Sequence, residues 1–155
     1  NGLLANIQPD TWDRVLAVNL SGVMATLQAA ARPMTAAGRG RIVVTASIAG
    51  LRAETLVGYA YSATKAAILS LTRTEALEWA PKVRVNAIMP GLIQTDRTRS
   101  DPNRRASDEQ LAAGIGMLRT GQPNDIAGAA VYLASDASAW TTGSAIQIDG
   151  GPRQR

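Results

Sequence analysis

The chain has 155 residues, 46% hydrophobic and 18% charged, a composition that suits one globular domain with a real core and excludes a disordered chain. Its formal net charge is +4, and it contains neither His nor Cys, which rules out Ser-His-Asp and Cys-His nucleophilic triads, a disulfide scaffold and the usual zinc ligands. Acid–base chemistry must therefore come from Tyr, Lys, Asp or Glu.

Phe is absent, so the core must be mostly aliphatic. No apolar run approaches the roughly 18–20 residues that span a bilayer. No basic-then-apolar leader opens the chain, so a cytoplasmic setting is the default expectation.

The first element expected is a long helix from Pro9 to Ala36. Pro9 suits a first helical position, and Asp10 and Asp13 lie near the positive helix end. Trp12, Val15, Leu16, Leu20, Val23, Met24, Leu27 and Ala31 recur at helical spacing. Gly22 and Pro33 are the points where it could bend, and Gly38 and Gly40 end it. The β-branched run within Arg41 to Ala46 predicts a strand buried on both faces. After a loop over 48–58, a second helix is expected from Tyr59 to Ala80, stopped before Pro81. Val83 to Met89 reads as the next strand, broken by Pro90-Gly91.

The polar stretch 94–107 reads as a mobile loop. It carries Arg97, Arg99, Arg104 and Arg105, interleaved with Asp96, Asp101 and Asp108. The interleaving favours a solvated loop over a contact to an anionic cofactor or substrate. No aromatic platform accompanies these arginines, so nucleic acid is not an expected partner. Short helices follow over 108–114 and 123–135, then a last strand, Ala145 to Ile148, ended by Asp149-Gly150-Gly151. Tyr132 reads as a core-facing residue of the later helix. Alternating helices and strands imply parallel strands joined by right-handed crossovers, an α/β fold.

One cluster carries chemistry. Tyr61 and Lys65 stand four residues apart on the expected second helix, hence on one face. A free phenol, with a pKa near ~10, is a poor base at neutral pH, but a neighbouring cation stabilises its phenolate. Such a pair can give a proton to a developing alkoxide or take one from an alcohol. Ser47, at the expected strand end, can hold the same oxygen. The set suits interconversion of a carbonyl and an alcohol, provided another group carries the hydride. Tyr59 has Ala63, not a cation, one turn on, and no base attends Ser62 or Thr64.

The context of these residues resembles the short-chain dehydrogenase/reductase family from about Thr11 to Gly151, with the family's motifs in order. Asn19-Leu20-Ser21-Gly22 is similar to its helix motif with the catalytic asparagine. Gly40 to Gly50 is similar to its catalytic-serine strand, and Tyr61-Ser62-Ala63-Thr64-Lys65 to its active-site helix. Arg84 to Thr95 resembles the strand and loop beneath the nicotinamide. Gly121 to Ala127, Thr142-Gly143 and Asp149-Gly150-Gly151 resemble its C-terminal end. One departure is small: a single extra residue separates Ser47 from Tyr61.

The resemblance implies a role for each residue. Tyr61 would be the general acid/base, and Lys65 would lower its pKa and bond the nicotinamide ribose. Ser47 would orient the substrate carbonyl. Asn19 would hold a water linking Lys65 to solvent. Pro90 and Gly91 would let backbone approach the cofactor, NAD or NADP, while the Ile93 backbone and the Thr95 hydroxyl would fix its carboxamide. Asn86 is taken as structural. No metal site is expected. A homo-oligomer, tetramer or dimer, is implied, through the two long helices and the last strand.

The larger departure is at the front. The family carries its dinucleotide site on an N-terminal βαβ unit with a Gly-rich turn, and no such segment is found here. The expectation is a single incomplete Rossmann-like domain over 1–155, the C-terminal part of a doubly wound parallel-sheet fold, inactive alone and left with an unpaired edge on the first strand. Two alternatives stand beside an NAD(P)-dependent oxidoreductase. One is a catalytically inactive fragment acting as a binding or assembly module. The other is an epimerase or dehydratase of the extended branch, which the loop 90–95 and the Asp149-Gly150-Gly151 ending fit less well.

Overall fold

A computed structural model describes residues 4–54, 57–100 and 106–152. Helix α1 (Pro9–Leu16) runs through a π-helical turn (Ala17–Ser21) into α2 (Gly22–Ala36). Strand β1 (Gly40–Thr45) follows, then a 3-10 turn (Ile48–Gly50), helix α3 (Tyr59–Trp79) and strand β2 (Val83–Pro90). Short helices α4 (Asp96–Arg99) and α5 (Asp108–Ala112) precede α6 (Pro123–Ala134), a 3-10 turn (Asp136–Ser138) and strand β3 (Ala145–Ile148). The expected order of helices and strands is observed.

The three strands form one parallel sheet in the order β1-β2-β3. Gly40 to Thr45 pair with Val83 to Ile88, and Ala87 to Pro90 pair with Ala145 to Ile148. Side chains alternate across β2. Val83, Val85, Ala87 and Met89 join one core cluster with Leu27 of α2 and Ile68, Leu69 and Ala76 of α3. The residues between them point to the other layer, where α6 lies against all three strands. There Arg84 donates to the carbonyls of Leu133, Ser135 and Thr141 and to the Ser138 hydroxyl, tying down the C-terminal end of α6. Asn86, 1% exposed, donates to the Thr141 carbonyl and accepts from the Ser144 amide. Its structural reading fits this clamp between β2 and the approach to β3.

Four expectations need correction. Strand β1 is not buried on both faces: Ile42 and Val44 are buried, Val43 is half-buried, and Arg41 and Thr45 are exposed. The reason is its place at the sheet edge, with β2 its partner among the described residues. Burial on both faces belongs to the central strand β2. The long helix is distorted at 17–21, ahead of Gly22, and runs helically through Pro33. The stretch 94–107 is not all loop, because Thr95 and Thr98 form a reciprocal cap that starts α4. Tyr132 is 39% exposed, its hydroxyl 3.1 Å from that of Thr141, while the neighbouring Leu133 is the buried residue. No described helix is long and apolar enough to cross a membrane.

Candidate active site

The carboxyl ends of β1 and β2 and the first turns of α3 converge on one region. Tyr61 and Lys65 share a face of α3, and the Lys65 ammonium lies 5.5 Å from the centre of the Tyr61 ring. Lys65 Nζ donates to the Thr45 carbonyl at 2.8 Å. Partial burial pushes the Lys65 ammonium below the ordinary lysine value. No carboxylate pairs with it among the described residues, so its charge is left for another acceptor.

Ser47 lies two residues beyond Thr45 and is buried. It caps the following 3-10 turn, its Oγ accepting from the Ala49 amide at 3.2 Å. That turn packs hard against α3: a Cβ on Gly50 would stand 2.6 Å from the Lys65 carbonyl carbon. Contacts to Lys65 therefore bracket Ser47 on both sides, at Thr45 and at Gly50. Asn19 reaches the same helix from the π-helical turn, its Nδ2 donating to Thr64 Oγ1 at 3.5 Å. Thr64, 1% exposed, also donates to the Tyr61 carbonyl at 2.8 Å. Sequence reasoning set Thr64 aside for want of a base, and its contact to Asn19 joins residues 45 positions apart.

The loop beyond β2 continues from the carboxyl end of the sheet. Gly91 is packed against Asp149, where a Cβ would come within 2.6 Å of the aspartate Cβ, and its amide donates to the Ile148 carbonyl. The Leu92 carbonyl and the Gln94 amide both bond Gly121. The backbone of Ile93 therefore faces away from that bridge. Its carbonyl accepts from Thr98 Oγ1 at 3.2 Å, and its amide has no partner among the described residues. Thr95 Oγ1 accepts from the Thr98 amide at 3.3 Å as the α4 cap and lies 3.3 Å from the Thr98 hydroxyl. Pro90 ends β2, paired with Ile148.

Arg99, the last residue of α4, donates to the Gln94 side chain at 3.2 Å, while Arg104 and Arg105 lie outside the described residues. A contact missed in the sequence joins the serine loop to the far end of the sheet: Arg52 bridges Glu54 and Asp149, at 2.8 and 3.3 Å. Nothing in the spacing of residues 52 and 149 signals this pair.

The chain matches the family model described as enoyl-(acyl carrier protein) reductase over residues 1–152. It is 43% identical over 144 residues to a sorbose reductase of Schizosaccharomyces pombe, covering 92% of this chain and 55% of that protein. Among solved structures, a 3-oxoacyl-[acyl-carrier protein] reductase from Brucella melitensis with bound NAD superposes with a TM-score of 0.85 at 35% identity, covering 98% of this chain and 55% of that one. A gluconate 5-dehydrogenase from Burkholderia cenocepacia in complex with NADP and tartrate gives a TM-score of 0.89 at 33% identity, covering 96% and 57%. The chain spans about half the length of the curated relatives it matches.

Proposed function

From the premise that this chain belongs to the short-chain dehydrogenase/reductase family, we propose that it carries the proton-transfer half of an NAD(P)-dependent oxidoreductase that interconverts a carbonyl and an alcohol. The oxidoreductase relatives support the reaction class, and the NAD- and NADP-bound neighbours support the cofactor class. The observation that carries the reading is the Tyr61–Lys65 pair with its ammonium 5.5 Å from the phenol ring, bonded to the backbone two residues before Ser47.

The residues present fit a nicotinamide group. Among the described residues the half-buried ammonium of Lys65 has no carboxylate partner and the Ile93 amide has no acceptor, and the Thr95 hydroxyl lies two residues further along the same loop. Lys65 would hold the ribose hydroxyls, and Ile93 and Thr95 the carboxamide, with Pro90 and Gly91 forming the backbone wall. When bound, the nicotinamide supplies or accepts the hydride. In the reducing direction Tyr61 Oη gives its proton to the carbonyl oxygen as negative charge develops there. The Lys65 ammonium stabilises the charge left on the phenolate oxygen. Ser47 Oγ donates to the same substrate oxygen and orients it. Asn19 would hold the water through which the proton is replaced from solvent. In the oxidising direction each proton moves the other way.

The same reading makes residues 1–155 one part of a Rossmann-like domain whose dinucleotide-binding βαβ unit belongs to the rest of the whole protein. Assembly into a homo-oligomer, tetramer or dimer, is part of the same reading and rests on the family alone.

The test is Tyr61→Phe in the whole protein. Cofactor binding stays within about two-fold, while turnover of a responsive ketone or alcohol falls by about 10²–10⁴. Near-normal turnover would remove Tyr61 from its role and the reading with it.

A further inference from the structure

We propose that Thr64 is a positioning residue, whose hydroxyl couples the π-helical turn at Asn19 to the backbone of Tyr61. The inference rests on the reading of Tyr61 and Asn19 above and goes beyond it, because Thr64 touches neither substrate nor cofactor in that scheme.

A threonine hydroxyl has one proton and two lone pairs. Thr64 spends its proton on the Tyr61 carbonyl, at 2.8 Å. Back-bonding of this kind is ordinary inside helices and would mean little alone. Here, though, Thr64 is 1% exposed and a second group shares its hydroxyl. With its proton committed, Thr64 can offer Asn19 only a lone pair. The Asn19 carboxamide must therefore turn its NH2 toward α3, as it does at 3.5 Å. A planar amide whose nitrogen is held on one side directs its oxygen to the other. The length of the contact means that it contributes orientation more than energy.

The two partners sit at matching places. Asn19 is the middle residue of the five that form the π turn, where the Gly22 amide bonds the Ala17 carbonyl. Such turns re-aim side chains and carbonyls within a helix. Tyr61 is three residues before Thr64, and its carbonyl also takes the Lys65 amide in the regular helix ladder. The three-residue chain Asn19–Thr64–Tyr61 thus joins two elements far apart in sequence at the residue that moves the proton.

The experiment compares the whole protein with Thr64→Val, which keeps the shape and removes the hydroxyl, and Thr64→Ser, which restores it. Cofactor affinity, KM, kcat and thermal midpoint are measured for each. The expected result is a fall in kcat of five-fold or more in Thr64→Val, with KM and cofactor affinity within two-fold, and recovery to within two-fold of wild type in Thr64→Ser. An Asn19→Ala, Thr64→Val cycle is expected to show losses that do not add. If Thr64→Val does not fold, Thr64→Cys, a weaker donor and acceptor of similar volume, takes its place with the same thresholds. A kcat loss below five-fold, or a loss that serine does not rescue, overturns the proposal while a strong Tyr61→Phe defect leaves the function standing. Normal turnover in Tyr61→Phe would instead bring down the function itself.

Discussion

Gly50 shows how a residue without a side chain can fix where two candidate site residues stand. The turn that carries Ser47 touches α3 at backbone distance, because no side chain stands between Gly50 and Lys65. A methyl at residue 50 would meet the Lys65 carbonyl carbon at 2.6 Å and its oxygen at 2.7 Å, neither of which can yield by a rotamer change. Gly50→Ala is expected to cost about 1–3 kcal/mol of stability and to lower kcat by displacing Ser47 relative to Lys65. Denaturant unfolding and steady-state kinetics on the whole protein check both parts. Unchanged values for both would show that the turn has room that its contact distances deny.

At the scale of elements, α3 is loaded unevenly. Its first two turns carry Tyr61, Thr64 and Lys65, while its last part buries Glu75, 8% exposed, whose Oε2 has no hydrogen-bond partner among the described residues. Burial, with the Glu78 charge adding to it, holds the Glu75 carboxyl above its usual range. The folded state therefore keeps the proton at pH values where the unfolded chain has released it. Stability from this group is full below the ordinary glutamate range and is lost as pH rises through the raised value. Glu75→Gln removes the ionisable group at nearly constant shape. It is expected to stabilise the protein at pH 7 by on the order of 1 kcal/mol and to change little at pH 4. Thermal melts at the two pH values test this, and equal midpoint shifts at both would show that charge is not the cause. The Arg119–Asp125 pair at the start of α6 works in the opposite sense, its guanidinium holding the aspartate carboxyl well below the usual range. Both groups are solvent-facing, and such pairs add little to stability.

For the whole molecule, the decisive feature is the side of β1 that has no strand partner among the described residues. The Gly40 and Ala46 amides bond toward β2, so the period of two turns the backbone groups of Arg41, Val43 and Thr45 to the other edge. Of these, the Thr45 carbonyl is taken by Lys65. A further strand paired at that edge would compete for the same carbonyl and free the ammonium. An open edge beside a half-buried β-branched face invites association. The chain expressed by itself is expected to bind a hydrophobic dye, to associate with rising concentration and to unfold without a sharp two-state transition. A dispersed monomer that unfolds reversibly in one cooperative step would contradict this.

What was legible from residues alone is what local chemistry decides. Helical spacing, Pro and Gly punctuation and β-branched runs located the principal elements, because propensity and periodicity act over a few residues. Tyr61 and Lys65 were recognisable as a pair because four helical residues bring two side chains to one face whatever the rest of the fold does. Other placements depended on contacts between distant segments. The π turn at Asn19, the Thr64 bridge, the Arg84 clamp and the Arg52–Asp149 pair each join parts of the chain that only packing brings together. Burial followed the same division. The apolar runs of β1 and β2 look alike as sequence, but a strand is covered on both faces only when its neighbours are in place, and among the described residues β2 has a strand on each side where β1 has one.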